Sequence, residues 1–294
     1  MDIPVKTLAS GFSLPVYGLG TWQMGGRIEP DYSNDAVEIA AIKSAIDHGI
    51  THIDTAESYG GGHTEELVGK AIKDYDRRKL IITSKVSGWN HNYEDLLKSC
   101  EASLQRLGTD YLDLYLLHRF PDAGTDIDGT VRALDELVSK GKIKHIGVSN
   151  MTIPRLQEIQ KRTQNKIVCN QIEYSLQVRE ADKYGLIDYC KSNDILITAW
   201  GPLQKGAMDQ ATVLHEMASK YDKTPYQIAL NWLLIQPNII TIPKTTSVQH
   251  LEENLGALGW ELEPEDFEQL SRDFPGQQDR SNRVPLDYPT DVPA

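Results

Sequence analysis

The chain is poor in features that would assign it to several common protein classes. It has 294 residues and only three cysteines, Cys100, Cys169 and Cys190. An odd count at spacings that match no metal or C-x-x-C pattern excludes a disulfide framework and a zinc site. The expectation is three buried thiols in a reducing compartment, the cytoplasm. No apolar run approaches the length of about 18 residues that a membrane span needs, and the residues Met1-Asp2-Ile3-Pro4 carry no charged-then-apolar leader. Cations are also in deficit. Thirty Lys and Arg stand against 42 Asp and Glu, for a net charge of −12. Such a surface repels a phosphate backbone, so neither nucleic acid nor a membrane is an expected partner. A glycine-rich G-x-G-x-x-G turn is absent as well, which argues against a Rossmann dinucleotide site.

What is present is alternation. Eight short apolar runs recur, at Val16–Leu19, Thr51–Ile53, Leu80–Thr83, Leu112–Leu117, Ile143–Val148, Lys166–Val168, Ile195–Thr198 and Ile239–Ile242. Runs this short and apolar suit strands covered on both faces of a parallel sheet. Between them lie helical stripes: Ile39, Ile42 and Ile46; Tyr93, Leu96, Leu97, Cys100, Leu104 and Leu107; Val131, Leu134 and Val138. Gly108 and Gly141 sit where two of these helices should stop. Thr224-Pro225 reads as an N-cap followed by proline at the first helical position. Eight strand–helix units predict an α/β fold, a (β/α)8 TIM barrel over residues 1–294 as a single domain. A short hairpin is expected over Val5–Leu14, and the proline-bearing tail after Phe274 is expected to be a loop.

In such a barrel, chemistry sits at the C-terminal ends of the strands. The polar residues that follow the runs are Asp54, Lys85, His118, Ser149 with Asn150, Gln171, Trp200 and Lys244. Taken singly, each has an ordinary structural role, such as the helix cap that an Asp after a strand often provides. Together they form a coherent chemical set. A phenol such as Tyr59 is a poor acid, with a reference pKa near 10. A nearby ammonium favours its phenolate, and a buried ammonium needs a carboxylate. Lys85 and Asp54 supply these two, and His118 would add a donor for a substrate oxygen.

These residues resemble the aldo-keto reductase family. The matching segments are Asp54-Thr55-Ala56-Glu57-Ser58-Tyr59-Gly60 with its continuation to Gly69, the run Leu107–His118, Gly147-Val148-Ser149-Asn150, and Ile242-Pro243-Lys244. They fall in the family's order between about Gly18 and Leu255. The resemblance implies a nicotinamide-dependent oxidoreductase that interconverts carbonyls and alcohols. Its catalytic residues are Asp54, Tyr59, Lys85 and His118, with Tyr59 as the proton donor. Implied cofactor contacts are Thr21, Trp22, Asp54, Ser149, Asn150, Gln171, Trp200, the loop Gly201, Pro202, Leu203 and Gln204, then Lys244, Thr245, Thr246, His250, Glu253 and Asn254. Trp200 stands where the family usually places a stacking tyrosine. Lys244 and its hydroxyl neighbours imply preference for NADP(H). His250, where the family often has arginine, weakens that preference and leaves room for NAD(H). Trp22, Trp89 and Arg119 are candidates for the substrate pocket. Arg119 has two readings, an anion contact or an ion pair with Asp122. The alternative functional reading is a cofactor-binding regulatory subunit with little turnover. A Schiff-base aldolase using Lys85 would leave Ser149, Asn150, Gln171 and Lys244 without a purpose.

Overall fold

A computed structural model describes residues 2–203 and 211–286. The chain opens with an antiparallel hairpin, β1 (Val5–Thr7) and β2 (Ser13–Pro15), turned by Gly11 at φ +90°. Eight further strands follow: β3 (Leu19–Gly20), β4 (His52–Asp54), β5 (Ile81–Val86), β6 (Leu112–Leu117), β7 (Ile143–Ser149), β8 (Ile167–Glu173), β9 (Leu196–Trp200) and β10 (Ile239–Thr241). All are parallel, and each pairs with its sequence neighbour. The two ends of the sheet meet. Tyr17 bridges Thr241 in parallel, Gly18 N–H donates to the Thr241 carbonyl at 2.8 Å, and Gly20 N–H donates to the Pro243 carbonyl at 3.2 Å. Closure depends on glycine here. A Cβ on Gly20 would lie 2.5 Å from the Ile242 carbonyl oxygen. A closed barrel leaves no sheet edge exposed.

The helices cover the outside. They are α1 (Asp35–Asp47), α2 (His63–Ile72), α3 (Tyr93–Leu107), α4 (Ile127–Ser139), α5 (Ile153–Gln160), α6 (Glu180–Lys183), α7 (Leu186–Ser192), α8 (Thr212–Tyr221), α9 (Pro225–Leu234), α10 (Val248–Leu255) and α11 (Pro264–Asp273). Helix α3 spans the whole predicted stripe and stops at Gly108, which is left-handed at φ +63°. Thr224 caps α9 through a reciprocal capping box with Gln227. None of the described helices is long and apolar enough to cross a membrane.

Strand periodicity divides the core in two. Outward residues such as Ile82, Val86, Tyr115 and Leu117 pack against the helices. Leu114, Leu116, Val168, Cys169, Leu196 and Ile240 fill the barrel floor with Leu8, Phe12 and Leu14 of the hairpin. The hairpin therefore plugs one end. It is pinned there by Lys6, whose Nζ donates to the carbonyls of Leu234, Gln236 and Ile239 at 2.6, 2.5 and 2.5 Å. The opposite end holds the C-terminal ends of the barrel strands. All three cysteines are buried and unpaired.

Candidate active site

The same alternation that turns Ile82, Ser84 and Val86 outward turns Lys85 into the barrel. Its side chain is fully buried. An ammonium has three protons to place, and Lys85 places all of them. Nζ donates to Asp54 Oδ1 at 2.6 Å, to the Thr55 carbonyl at 2.8 Å and to Tyr59 Oη at 3.1 Å. The Tyr59 oxygen is thus an acceptor toward Lys85, and its own O–H remains for another partner. The second oxygen of Asp54 accepts Gln171 Nε2 at 2.7 Å. Its backbone carbonyl accepts Thr21 N at 3.1 Å and Thr21 Oγ1 at 2.9 Å.

Beyond Gln171 the network continues through the side chains expected to meet the cofactor. Ser149 Oγ donates to the Gln171 carbonyl at 2.9 Å and accepts Asn150 Nδ2 at 2.9 Å. Asn150, left-handed at φ +55°, accepts Trp200 Nε1 on Oδ1 at 3.2 Å. One hydrogen-bonded chain therefore runs from Trp200 through Asn150, Ser149, Gln171, Asp54 and Lys85 to Tyr59. His118 joins from β6's end. Its ring lies 5.8 Å from that of Tyr59, and its Nδ1 is 3.5 Å from Ser58 Oγ. Trp22 stands edge-on to Tyr59, with ring centroids 4.8 Å apart.

The turn that carries Tyr59 is built on glycine. Gly60, Gly61 and Gly62 have φ of +53°, +60° and +97°, a left-handed run that side chains rarely adopt. A Cβ on Gly60 would also meet the Gly25 carbonyl at 2.3 Å. Sequence and backbone thus agree on why three consecutive glycines follow the tyrosine.

Burial sets the protonation states. For Lys85, burial works against the charge, but Asp54 and then Tyr59 outweigh it and hold its pKa above the ordinary value. Burial also pushes the Tyr59 phenol up from 10, and the pull of Lys85 offsets only part of this. The lowering by Lys85 implied by the sequence is present, but full desolvation of the phenolate is the larger effect. His118 is pushed down to about 3, first by burial and then by the Lys85 charge, so it is neutral at pH 7.

The remaining candidates form the rim. Trp89 sits in the single turn Gly88–Asn90 and is 67% exposed. Arg119 pairs with Asp122 at 2.8 Å, with both side chains exposed. Gly201 has φ +63°, and Pro202 and Leu203 follow it, whereas Gln204 lies outside the described residues. Lys244, Thr245 and Thr246 leave the barrel just after Pro243, beside Gly20 and Thr21. Thr245 Oγ1 is engaged within its own loop, accepting Ser247 N at 3.1 Å and donating to the Ser247 carbonyl at 3.2 Å. Ser247 then caps α10 by accepting His250 N at 3.3 Å. His250 is exposed, Glu253 half-buried and Asn254 buried. Three groups escaped the sequence reading: the Thr55 carbonyl under Lys85, Ser58 beside His118, and Glu173, whose carboxylate meets Arg283 at 3.4 Å near Trp200. Glu173 follows Gln171 by two residues on β8, so strand periodicity alone places it on the same face.

A closed parallel barrel with a carboxylate, an ammonium and a phenol buried in series at its C-terminal mouth defines a class of proton-donating barrel enzymes. The family model described as the aldo/keto reductase family matches residues 17–272, and the chain belongs to that family. It is similar to a methylglyoxal reductase of Escherichia coli, 35% identical over 92% of this chain and 94% of that protein. It is similar also to a glyoxal reductase of Bacillus subtilis, 38% identical over 90% of each. The crystal structure of an aldo/keto reductase from Klebsiella pneumoniae in complex with NADP and acetate is 34% identical, with a TM-score of 0.83 over 96% of this chain and 99% of that one. The chain is accordingly an NAD(P)H-dependent oxidoreductase of carbonyls and alcohols.

Proposed function

We propose that this protein reduces small aldehydes and ketones, 2-oxoaldehydes among them, with Tyr59 as the proton donor and NADP(H) as the preferred cofactor. The observation that carries the reading is the saturation of Lys85. Its three protons are committed to Asp54, Thr55 and Tyr59. The phenol therefore has a cation behind its oxygen and a proton to give in front. A phenol holds its proton at neutral pH in any case, and burial tightens that hold. The proton leaves when negative charge develops on a carbonyl oxygen within hydrogen-bond reach, and Lys85 stabilises the phenolate that remains. Neutral His118 offers one N–H to orient the same oxygen.

The donor set fits a nicotinamide dinucleotide. Ser149, Asn150 and Gln171 group amide and hydroxyl functions that suit a carboxamide, and the Trp200 indole suits a flat ring. Lys244 and the capped N-terminus of α10 suit a 2′-phosphate, since a lysine and a helix N-terminus both favour an anion. When bound, the reduced nicotinamide supplies the hydride. The 2-oxoaldehyde class is supported by the names of the two relatives in E. coli and B. subtilis. Trp22 and Trp89 are assigned to the substrate side of the mouth. The cytoplasm is the compartment this reading implies, and three unpaired thiols support it.

The test is turnover of methylglyoxal and simple aldehydes, followed by the absorbance of the reduced cofactor, with dissociation constants for NADPH and NADH measured alongside. Turnover with tighter NADPH binding is expected. Cofactor binding without turnover of any simple carbonyl would favour a regulatory subunit, and tighter NADH binding would reverse the stated preference.

A further inference from the structure

The turn bearing Trp89 does not cap itself. It runs through Gly88-Trp89-Asn90, and Ser87, at its N-terminal boundary, makes no side-chain cap. Instead the Ser87 N–H donates to Glu57 Oε1 at 2.6 Å, and Asn90 Nδ2 donates to the same oxygen at 3.1 Å. Glu57 belongs to another loop. It follows Asp54 by three residues and precedes Tyr59 by two, and its own N–H donates to the Lys85 carbonyl at 3.4 Å. One carboxylate oxygen thus joins the loop that carries the proton donor to the turn that carries Trp89. On its other side the turn is fenced by Arg119. A Cβ on Gly88 would lie 2.0 Å from Arg119 Nε, and Arg119 is itself held by Asp122. The turn leaves the barrel directly after Val86, whose carbonyl accepts His118 N at 3.0 Å. Val86, Glu57 and Arg119, which bound the turn on these sides, are each within two residues of a member of the active site.

We propose that Glu57 is a positioning residue that fixes the Trp89 turn relative to Tyr59, and thereby sets how well the enzyme accepts carbonyls carrying a large flat or apolar group relative to small ones. A mostly exposed indole gains little by packing on its own surroundings, so what anchors it is the backbone of its turn. That backbone is referenced through Glu57 to the proton donor. A hydrogen bond to a charged acceptor is about twice as strong as a neutral one. A substrate that reaches from the phenol to the indole depends on where this turn sits, whereas a small 2-oxoaldehyde does not. This inference rests on the assignment of Trp89 to the substrate side of the mouth.

The experiment compares Glu57→Ala and Glu57→Gln with the parent protein, using 4-nitrobenzaldehyde and methylglyoxal with NADPH, and measures amide exchange in the cofactor-free protein. In Glu57→Ala the ratio of kcat/KM for the aromatic aldehyde to that for methylglyoxal should fall about tenfold, mainly through KM. Glu57→Gln keeps an acceptor oxygen in place and should recover most of the ratio. On a Trp89→Ala background, Glu57→Ala should leave the ratio where Trp89→Ala put it. Exchange at the Ser87 amide should rise at least tenfold in Glu57→Ala while β5 stays protected. An equal loss for both aldehydes, a further fall of the ratio on the Trp89→Ala background, unchanged exchange at Ser87 in Glu57→Ala, or a ratio in Glu57→Gln as low as in Glu57→Ala would overturn the proposal. If the parent turned over neither aldehyde, the reductase reading would fail and the selectivity claim with it. The exchange result would still decide whether Glu57 holds the turn.

Discussion

Replacing Asp54 with asparagine tests the counter-ion role of this residue at nearly constant shape. The Asp54 and Lys85 side chains are 2% and 0% exposed and 2.6 Å apart. Removing one partner of a buried pair leaves the other charge uncompensated, at a typical cost of about 3–5 kcal/mol. Asparagine can still accept from Lys85 through its oxygen, which sets the expectation at the low end. Its amide then faces the Gln171 amide, two donors where the native pair has donor and acceptor. For a chain of this size about 3 kcal/mol corresponds to a fall in Tm of roughly 5 °C. The kinetic effect follows from the charge. Without Asp54, burial is opposed mainly by Tyr59, and the pKa of Lys85 drops. A neutral Lys85 no longer stabilises the phenolate, so the reduction rate at neutral pH should fall by about 10²-fold, within the range a general acid supplies. Acidification should restore part of that rate in Asp54→Asn as Lys85 regains its proton, and should give no such gain in the parent. Thermal melts and single-turnover reduction across pH are the assays. A variant that melts within 2 °C of the parent (about 1 kcal/mol on the same scale) and keeps its rate would refute the role given to Asp54.

Two further outcomes concern stability. His52 and His118 are held near 4 and 3 by burial, against 6.5 unfolded, so below pH 6.5 the unfolded chain binds protons that the folded one refuses. Stability should therefore fall as pH drops from 6.5 toward 4, by about 4 kcal/mol from these two groups between pH 7 and pH 5. His63 acts in the opposite sense: Asp35 and Glu66 outweigh burial and raise its pKa, so its contribution is present at low pH and lost as pH rises through the folded value. Urea midpoints at pH 7 and pH 5 check this, and His63→Gln should steepen the acid loss. In the triglycine turn, Gly61→Ala should cost about 1–2 kcal/mol from left-handed strain alone, because its Cβ would meet nothing closer than Pro30 Cδ at 3.4 Å. Gly60→Ala adds a clash with the Gly25 carbonyl and should cost more. Equal melting points for the two variants would contradict the packing argument.

The barrel was legible because its strands are short, apolar and covered on both faces, and all eight predicted runs became strands. Their ends were less legible. The first run was read as Val16–Leu19, yet only Leu19–Gly20 lies in the ladder with β4, since Tyr17 and Gly18 pair across the closure with Thr241. The sixth was read as Lys166–Val168 and extends to Glu173, because Asn170, Gln171 and Glu173 interrupt its apolar run. Asp54, Lys85, His118, Ser149 and Gln171 stood out as polar residues at strand ends. The direction of the Tyr59 shift did not, because it depends on how completely the phenol is buried rather than on which cation is near. Glu57 was silent for a similar reason: its partners are an N–H and an amide 30 and 33 residues away.

The most direct measurement is single-turnover reduction of methylglyoxal by Tyr59→Phe with NADPH bound. The ring stays and only the proton is lost. The account predicts a rate lower by about 10²-fold or more, with the NADPH dissociation constant within twofold of the parent. A phenylalanine variant that reduced the aldehyde at close to the parent rate would show that the proton comes from elsewhere.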